Sequence, residues 1–163
     1  MKKFILIPIL IFALFISGCA GNAAVAPESN AETTDNAPIE DKLSELNGYM
    51  ASLEESADAI QTSLEKDALS QTDMNEKSAQ LYKLWDDALN HLWGELKAAL
   101  PEDEFSALLD EQLTWISDKD TAVSEAATDY EGGSMYALIA NGEAAKITQE
   151  RVYEFYNILK DLY

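Results

Sequence analysis

Three sets of residues in this chain are of types that do chemistry, and their spacing supports only one of them. The first is the lone cysteine, Cys19. It closes the run Ile16-Ser17-Gly18-Cys19, the apolar–small–small–Cys order of a bacterial lipobox. That order implies diacylglyceryl transfer to the thiol, cleavage just before it, and a mature chain that begins at the acylated residue. Each buried methylene contributes about 0.8 kcal/mol, so two or three acyl chains anchor a protein stably where one does not. The expected location is the extracytoplasmic face of a cell membrane. The second set is His91, the sole histidine, with Glu95 at i, i+4. Two ligands on one helix face, with no third and no cysteine nearby, make a poor metal site, so neither a metal nor another cofactor is expected. The third is the crowd of carboxylates, including the adjacent pairs Asp86-Asp87 and Glu54-Glu55. Neighbours on a helix diverge by about 100°, so these are not the facing groups of acid–base catalysis. No nucleophile with an accompanying base and no glycine-rich phosphate loop is present. The chain reads as a non-enzyme.

Polar residues beside apolar stripes say more. From Gln112 to Ser134 a helix carries Trp115 and the pair Lys119-Asp120 within one and a half turns, then stops at Gly132-Gly133. Trp115 and Lys119 are four apart and share a face, which suits an aromatic anchor crossed by a lysine stem. Asn90 and Gln112 lie beside the apolar stripes of adjacent helices. If buried they need partners, and pairing across the helix contact would supply them. Arg151 lies near the apolar face of the last helix and should meet a carboxylate, with Asp120 and Asp86 the candidates.

Positioning these residues falls to helices. Met1-Lys2-Lys3 followed by the apolar run Phe4 to Ile16 has the layout of a secretory signal, placed at residues 1–18. Residues 19–38 hold the acylated cysteine and a small, polar, proline-spotted stretch that cannot bury a core. It reads as a disordered tether, and about 19 flexible residues span roughly 25 Å root-mean-square. From Ile39 the pattern changes. Ile39, Leu43, Leu46, Met50, Leu53, Ala57, Ile60 and Leu64 follow 4-3 spacing, a heptad seam within an amphipathic helix over 39–69. Such a seam needs a partner, which is either another helix of the same chain or a second copy.

A helical domain over 71–163 follows. Thr72 or Asp73 can cap its first helix, Asp73 having capping-box spacing to Glu76. Met74, Leu81, Trp85, Ala88, Leu89, Leu92, Leu96 and Leu100 make that helix's buried stripe. Pro101 ends it and opens the next, with Glu102, Asp103 and Glu104 suiting the positive helix start. This third helix is expected to bury Phe105, Leu108, Leu109, Trp115, Ile116, Ala122 and Val123, and one glycine of Gly132-Gly133 to take the left-handed conformation. The last helix, from about Ser134 to Leu162, draws its apolar face from Tyr136, Ile139, Ile147, Phe155, Ile158 and Leu162, with a loosening at Asn141-Gly142. No segment alternates with period two. The fold class is therefore all-α: three to four long helices in a bundle, with short connections that make neighbours antiparallel.

Charge narrows the partners. The chain carries −19, and loss of Lys2 and Lys3 with the leader takes it to −21. So acidic a surface repels nucleic acid and anionic headgroups. It suits a basic protein partner, and it also suits plain solubility.

With these residues in place, the region from about 71 to 159 resembles the LprI-type lysozyme-inhibitor domain family of secreted bacterial proteins. The likeness rests on Thr72-Asp73-Met74-Asn75-Glu76, on Asp86 with Leu89-Asn90, and on Gln112 and Trp115. It continues through Lys119-Asp120, where the family usually has Arg-Asp, then Gly132-Gly133-Ser134, and Thr148 with Arg151. Two cysteines common in the family are missing, Asp118 stands where an aromatic is usual, and lysine for arginine at 119 loses a bidentate fork. The resemblance implies an all-helical domain without catalysis, with lysozyme inhibition the activity reported for the family's namesake. The matched positions read as determinants of fold.

Two functions follow as expectations. One is a lipid-anchored surface protein that blocks a cationic lysozyme by contact. The other is a cell-envelope adaptor or self-association module that uses the Ile39–Leu64 seam and inhibits nothing.

Overall fold

A computed structural model describes residues 37–163. The signal segment, Cys19 and the tether up to residue 36 lie outside the described residues. Four helices follow: α1 (Ala37–Lys66), α2 (Gln71–Ala99), α3 (Glu102–Ala127) and α4 (Tyr136–Leu162). No strand occurs among the described residues, so the all-α bundle expected from periodicity is the fold. No described helix is long and apolar enough to cross a membrane.

The helix ends follow from local chemistry. Ser70 caps α2: its hydroxyl accepts from the Asp73 amide at 3.2 Å, and its own amide donates to the Asp73 carboxylate at 3.1 Å. The capping box thus sits earlier than the expected Thr72 or Asp73 start. Asp73 serves as the third residue of the helix, not its cap, because Ser70 is the residue with extended backbone. Only Leu100 and Pro101 separate α2 from α3. Pro101, with no amide to lose, precedes three acids in the first turn of α3. After α3 a 3-10 turn at Thr128–Tyr130 leads to Gly132 at φ 73°. The next residue is also constrained, since a Cβ on Gly133 would stand 3.1 Å from the Tyr130 carbonyl. The α4 helix passes through Asn141-Gly142 without the loosening expected there.

Side-chain pairs reveal the topology. Asn75 of α2 meets Ser134 in the turn just ahead of α4, and within the two helices Ser78 meets Asn141 and Trp85 meets Tyr153. Partners advance together, so these two helices run parallel. Across α2 and α3 the order reverses, Trp93 meeting Phe105 and Tyr82 meeting Lys119. On the other flank Tyr49 of α1 meets His91, while Glu54 and Asn47 accept from the hydroxyls of Tyr153 and Tyr156. Consecutive helices are antiparallel, as short connections require. The most extensive interface nevertheless joins α2 to α4, which run the same way.

The core explains that choice. Ser78, Trp85, Ala88, Leu89, Leu92 and Leu96 form the buried stripe of α2. Ala144, Ala145, Thr148, Arg151, Val152, Phe155 and Leu159 form that of α4. Small residues on both stripes let the backbones approach closely. The expected face of α4 is met in part: Phe155 is fully buried and Ile158 packs against the core, whereas Tyr136 and Leu162 are exposed and Thr148 joins Arg151 inside. Ala144 and Ala145 take the buried places against α2, and Ile139, Ile147 and Ile158 are half-buried beside them. In α1 the inner seam residues Leu46, Met50, Leu53 and Ala57 are buried and belong to the same core cluster as α2 and α4. The outermost, Ile39, is exposed.

Candidate functional site

Arg151 is the most constrained polar residue of the domain. Its side chain is 10% exposed, with Nε donating to Gln112 Oε1 at 2.9 Å and Nη1 to Glu154 at 2.7 Å. The guanidinium lies over the Phe155 ring, 4.7 Å from its centroid. Arginine is suited to this combination because its planar fork can stack and donate at once. The carboxylate expected to meet it is therefore neither Asp120 nor Asp86. It is Glu154, one turn further along α4, and the partner across the helix contact is an amide. Arg151 Nη2 and the buried Thr148 Oγ1 have no hydrogen-bond partner among the described residues.

The neighbouring landmarks also serve packing. Lys119 Nζ lies 5.0 Å from the centre of the Trp115 ring and 5.4 Å from that of Tyr82, and donates to the Tyr82 hydroxyl at 3.2 Å. This is the lysine-over-aromatic arrangement read from their spacing. Asn90 departs from expectation. It is exposed and donates to the Asp86 carbonyl and carboxylate on its own helix, at 2.9 and 3.3 Å, instead of reaching Gln112. Asp120 is exposed. Gly132 and Gly133 shape the loop into α4, which Asn75 ties to the start of α2 through the Ser134 carbonyl at 3.0 Å. These residues are spread along the bundle and do not converge on a common cleft.

The outer side of α3 departs furthest from expectation. Leu109 and Ile116, expected inside, are each 42% exposed, and Leu113 between them is 58% exposed. Two stripes on this helix share the same 4-3-4 spacing. One is Leu108, Gln112, Trp115, Lys119; the other is Leu109, Leu113, Ile116, Asp120. They differ by about 100° of rotation. Side-chain polarity favours burying the second, yet the structure buries the first. Gln112 and Lys119 have bonds waiting on α4 and α2, and Leu108 and Trp115 pack on the core. A signal was present in the sequence: two aligned stripes on one helix cannot both face inward.

His91 and Glu95 line a cleft of about 300 Å³ between the ends of α1, α2 and α4. His91 is occupied by the Tyr49 ring, with centroids 4.4 Å apart. Burial, and then the charge of Asp87, pushes the Tyr49 hydroxyl above the ordinary tyrosine range. Glu45 and Lys42 also line the cleft, but among the described residues no three His, Cys, Asp or Glu side chains are grouped as metal ligands.

The family model described as Lysozyme inhibitor LprI matches residues 64–155, more than half of the chain. The α1 helix lies almost entirely ahead of that match. No curated protein and no solved structure matches.

Proposed function

The chain belongs to the LprI lysozyme-inhibitor family, and from that premise we propose that it inhibits a basic lysozyme by direct contact. The family match carries this reading. Charge supports it: a body of −21 after loss of the leader and a cationic enzyme attract over several ångströms, which raises association rate and makes binding strongly salt-dependent. Inhibition on this reading comes from covering the substrate cleft, with no chemistry on the inhibitor's side. The protein would sit on the extracytoplasmic face of a membrane, held through acylated Cys19 and its tether. So anchored, it would guard the cell wall beside it.

The test uses the acyl-free mature chain, residues 19–163. Lysozyme turnover of peptidoglycan is measured with and without it, at low and at physiological salt. Slowing at micromolar inhibitor, weaker at higher salt, supports the proposal. Unchanged turnover at micromolar excess under both conditions ends it. Labelling of cells with a radioactive fatty acid tests the anchor separately, since Cys19→Ser should abolish incorporation.

A further inference from the structure

We infer that the outward stripe of α3, formed by Leu109, Leu113 and Ile116, is the surface that grips the basic partner; this rests on the functional reading above. Each of the four helices contributes buried residues to the shared core. The α3 helix also carries a second stripe, Leu109, Leu113 and Ile116, where three aliphatic side chains in line stay outside. With Leu108 and Trp115 on the core, Gln112 bonded to Arg151 at 2.9 Å and Lys119 on Tyr82, this second stripe, at 42%, 58% and 42% exposure, faces water.

The surroundings of the stripe state the chemistry of its occupant. The α3 helix is the shortest of the four and carries eight carboxylates against one lysine. That lysine, Lys119, is turned onto Trp115 and Tyr82. By helical spacing Asp120 continues the stripe at one end, Glu102 stands in line at the other, and Asp110 flanks it. An apolar centre with a rim of one charge sign is the anatomy of an interface for an oppositely charged partner. A second copy of this chain is a poor occupant. Two such faces would bring their carboxylates together with no available cation between them. The stripe therefore fits a basic protein surface that offers an apolar groove.

The experiment measures binding of immobilised lysozyme to the acyl-free mature chain and three variants over a series of salt concentrations. They are Leu113→Ser/Ile116→Ser, Asp110→Asn/Asp120→Asn, and the loop control Met135→Ser. Circular dichroism melts confirm that each remains folded, as substitution at exposed positions permits. The serine pair should weaken binding about tenfold or more with an unchanged salt slope, while the asparagine pair should flatten the salt slope. If wild type binds and the serine pair binds equally well, the surface assignment is wrong and the functional reading stands. Loss of binding in Met135→Ser alone moves the contact to the loop before α4 and overturns the assignment. A wild-type dimer in sedimentation that the serine pair dissolves makes a second copy the occupant, which also overturns it. Wild type that neither binds nor slows lysozyme removes the functional reading, and this inference with it.

Discussion

Arg151 on α4 donates through Nε to Gln112 Oε1 on α3 at 2.9 Å, and this cross-helix bond holds against the core the same side of α3 that carries Leu108, Trp115 and Lys119. Arg151 and Gln112 are both buried, and the arginine is further held by Glu154 and the Phe155 ring. A cation in so dry a place needs its acceptors, because an unpaired buried donor bears the full cost of desolvation.

Removing the acceptor should therefore be expensive. Gln112→Leu is expected to lower stability by about 1.5–3 kcal/mol, the range for a hydrogen bond to a charged group. The double variant Gln112→Leu/Arg151→Met should lose less than the sum of the two single changes, because it leaves no orphaned charge. Urea unfolding of the four proteins decides this. Strict additivity would show that the pair does not act as a unit.

Two glycine-to-alanine changes should have opposite signs. Gly48 lies inside α1, and a Cβ there would meet nothing within 4 Å. Gly48→Ala should stabilise by about 1 kcal/mol through helix propensity. Gly132 has φ 73°, so Gly132→Ala should destabilise by about 1–2 kcal/mol from left-handed strain. Thermal melts rising for the first and falling for the second are the expected result.

Alkaline stability should report the contact between α1 and α4. The Tyr153 hydroxyl donates to Glu54 at 2.7 Å. Burial, and then the bond and charge of Glu54, push this phenol from 10.0 up to about 12. The unfolded chain releases the proton near pH 10 and the folded chain only near 12. The stability Tyr153 contributes is thus whole below pH 10 and is lost as pH rises through about 12. Urea midpoints between pH 9 and 12 should fall more steeply for wild type than for Tyr153→Phe. Equal slopes would remove Tyr153 as a source of the decline.

The heptad seam should behave as core and not as a dimer contact. Leu53 is buried within the chain, so Leu53→Ala should cost about 2–5 kcal/mol. The loss should be the same at micromolar and at hundred-micromolar protein. A melting temperature that climbs with concentration would mean the seam is satisfied between molecules.

Much of the architecture was legible in the chain because it rests on local rules. Periodicity yields a bundle of three to four helices, Pro101 and Gly132-Gly133 mark the ends of α2 and α3, and the 4-3 seam of α1 contains the four residues Leu46, Met50, Leu53 and Ala57 that are buried. Trp115 and Lys119 meet as their spacing requires, since one helix suffices to bring them together. The family likeness could also be read from landmarks in order.

Choices between equal local options were decided only by the tertiary structure. Ser-x-x-Asp and Asp-x-x-Glu are both capping boxes, and the backbone at Ser70 selects the first. The α4 helix is apolar on several sides, and close approach to the parallel α2 selects the face with Ala144, Ala145 and Thr148. On α3 two stripes of identical spacing compete, and the more apolar one is left outside while Gln112 meets Arg151, Lys119 meets Tyr82, and Leu108 and Trp115 pack on the core. Helix periodicity specifies that a face exists; its rotation depends on partners remote in the chain. The outward stripe of α3 is the counterpart of those long-range contacts.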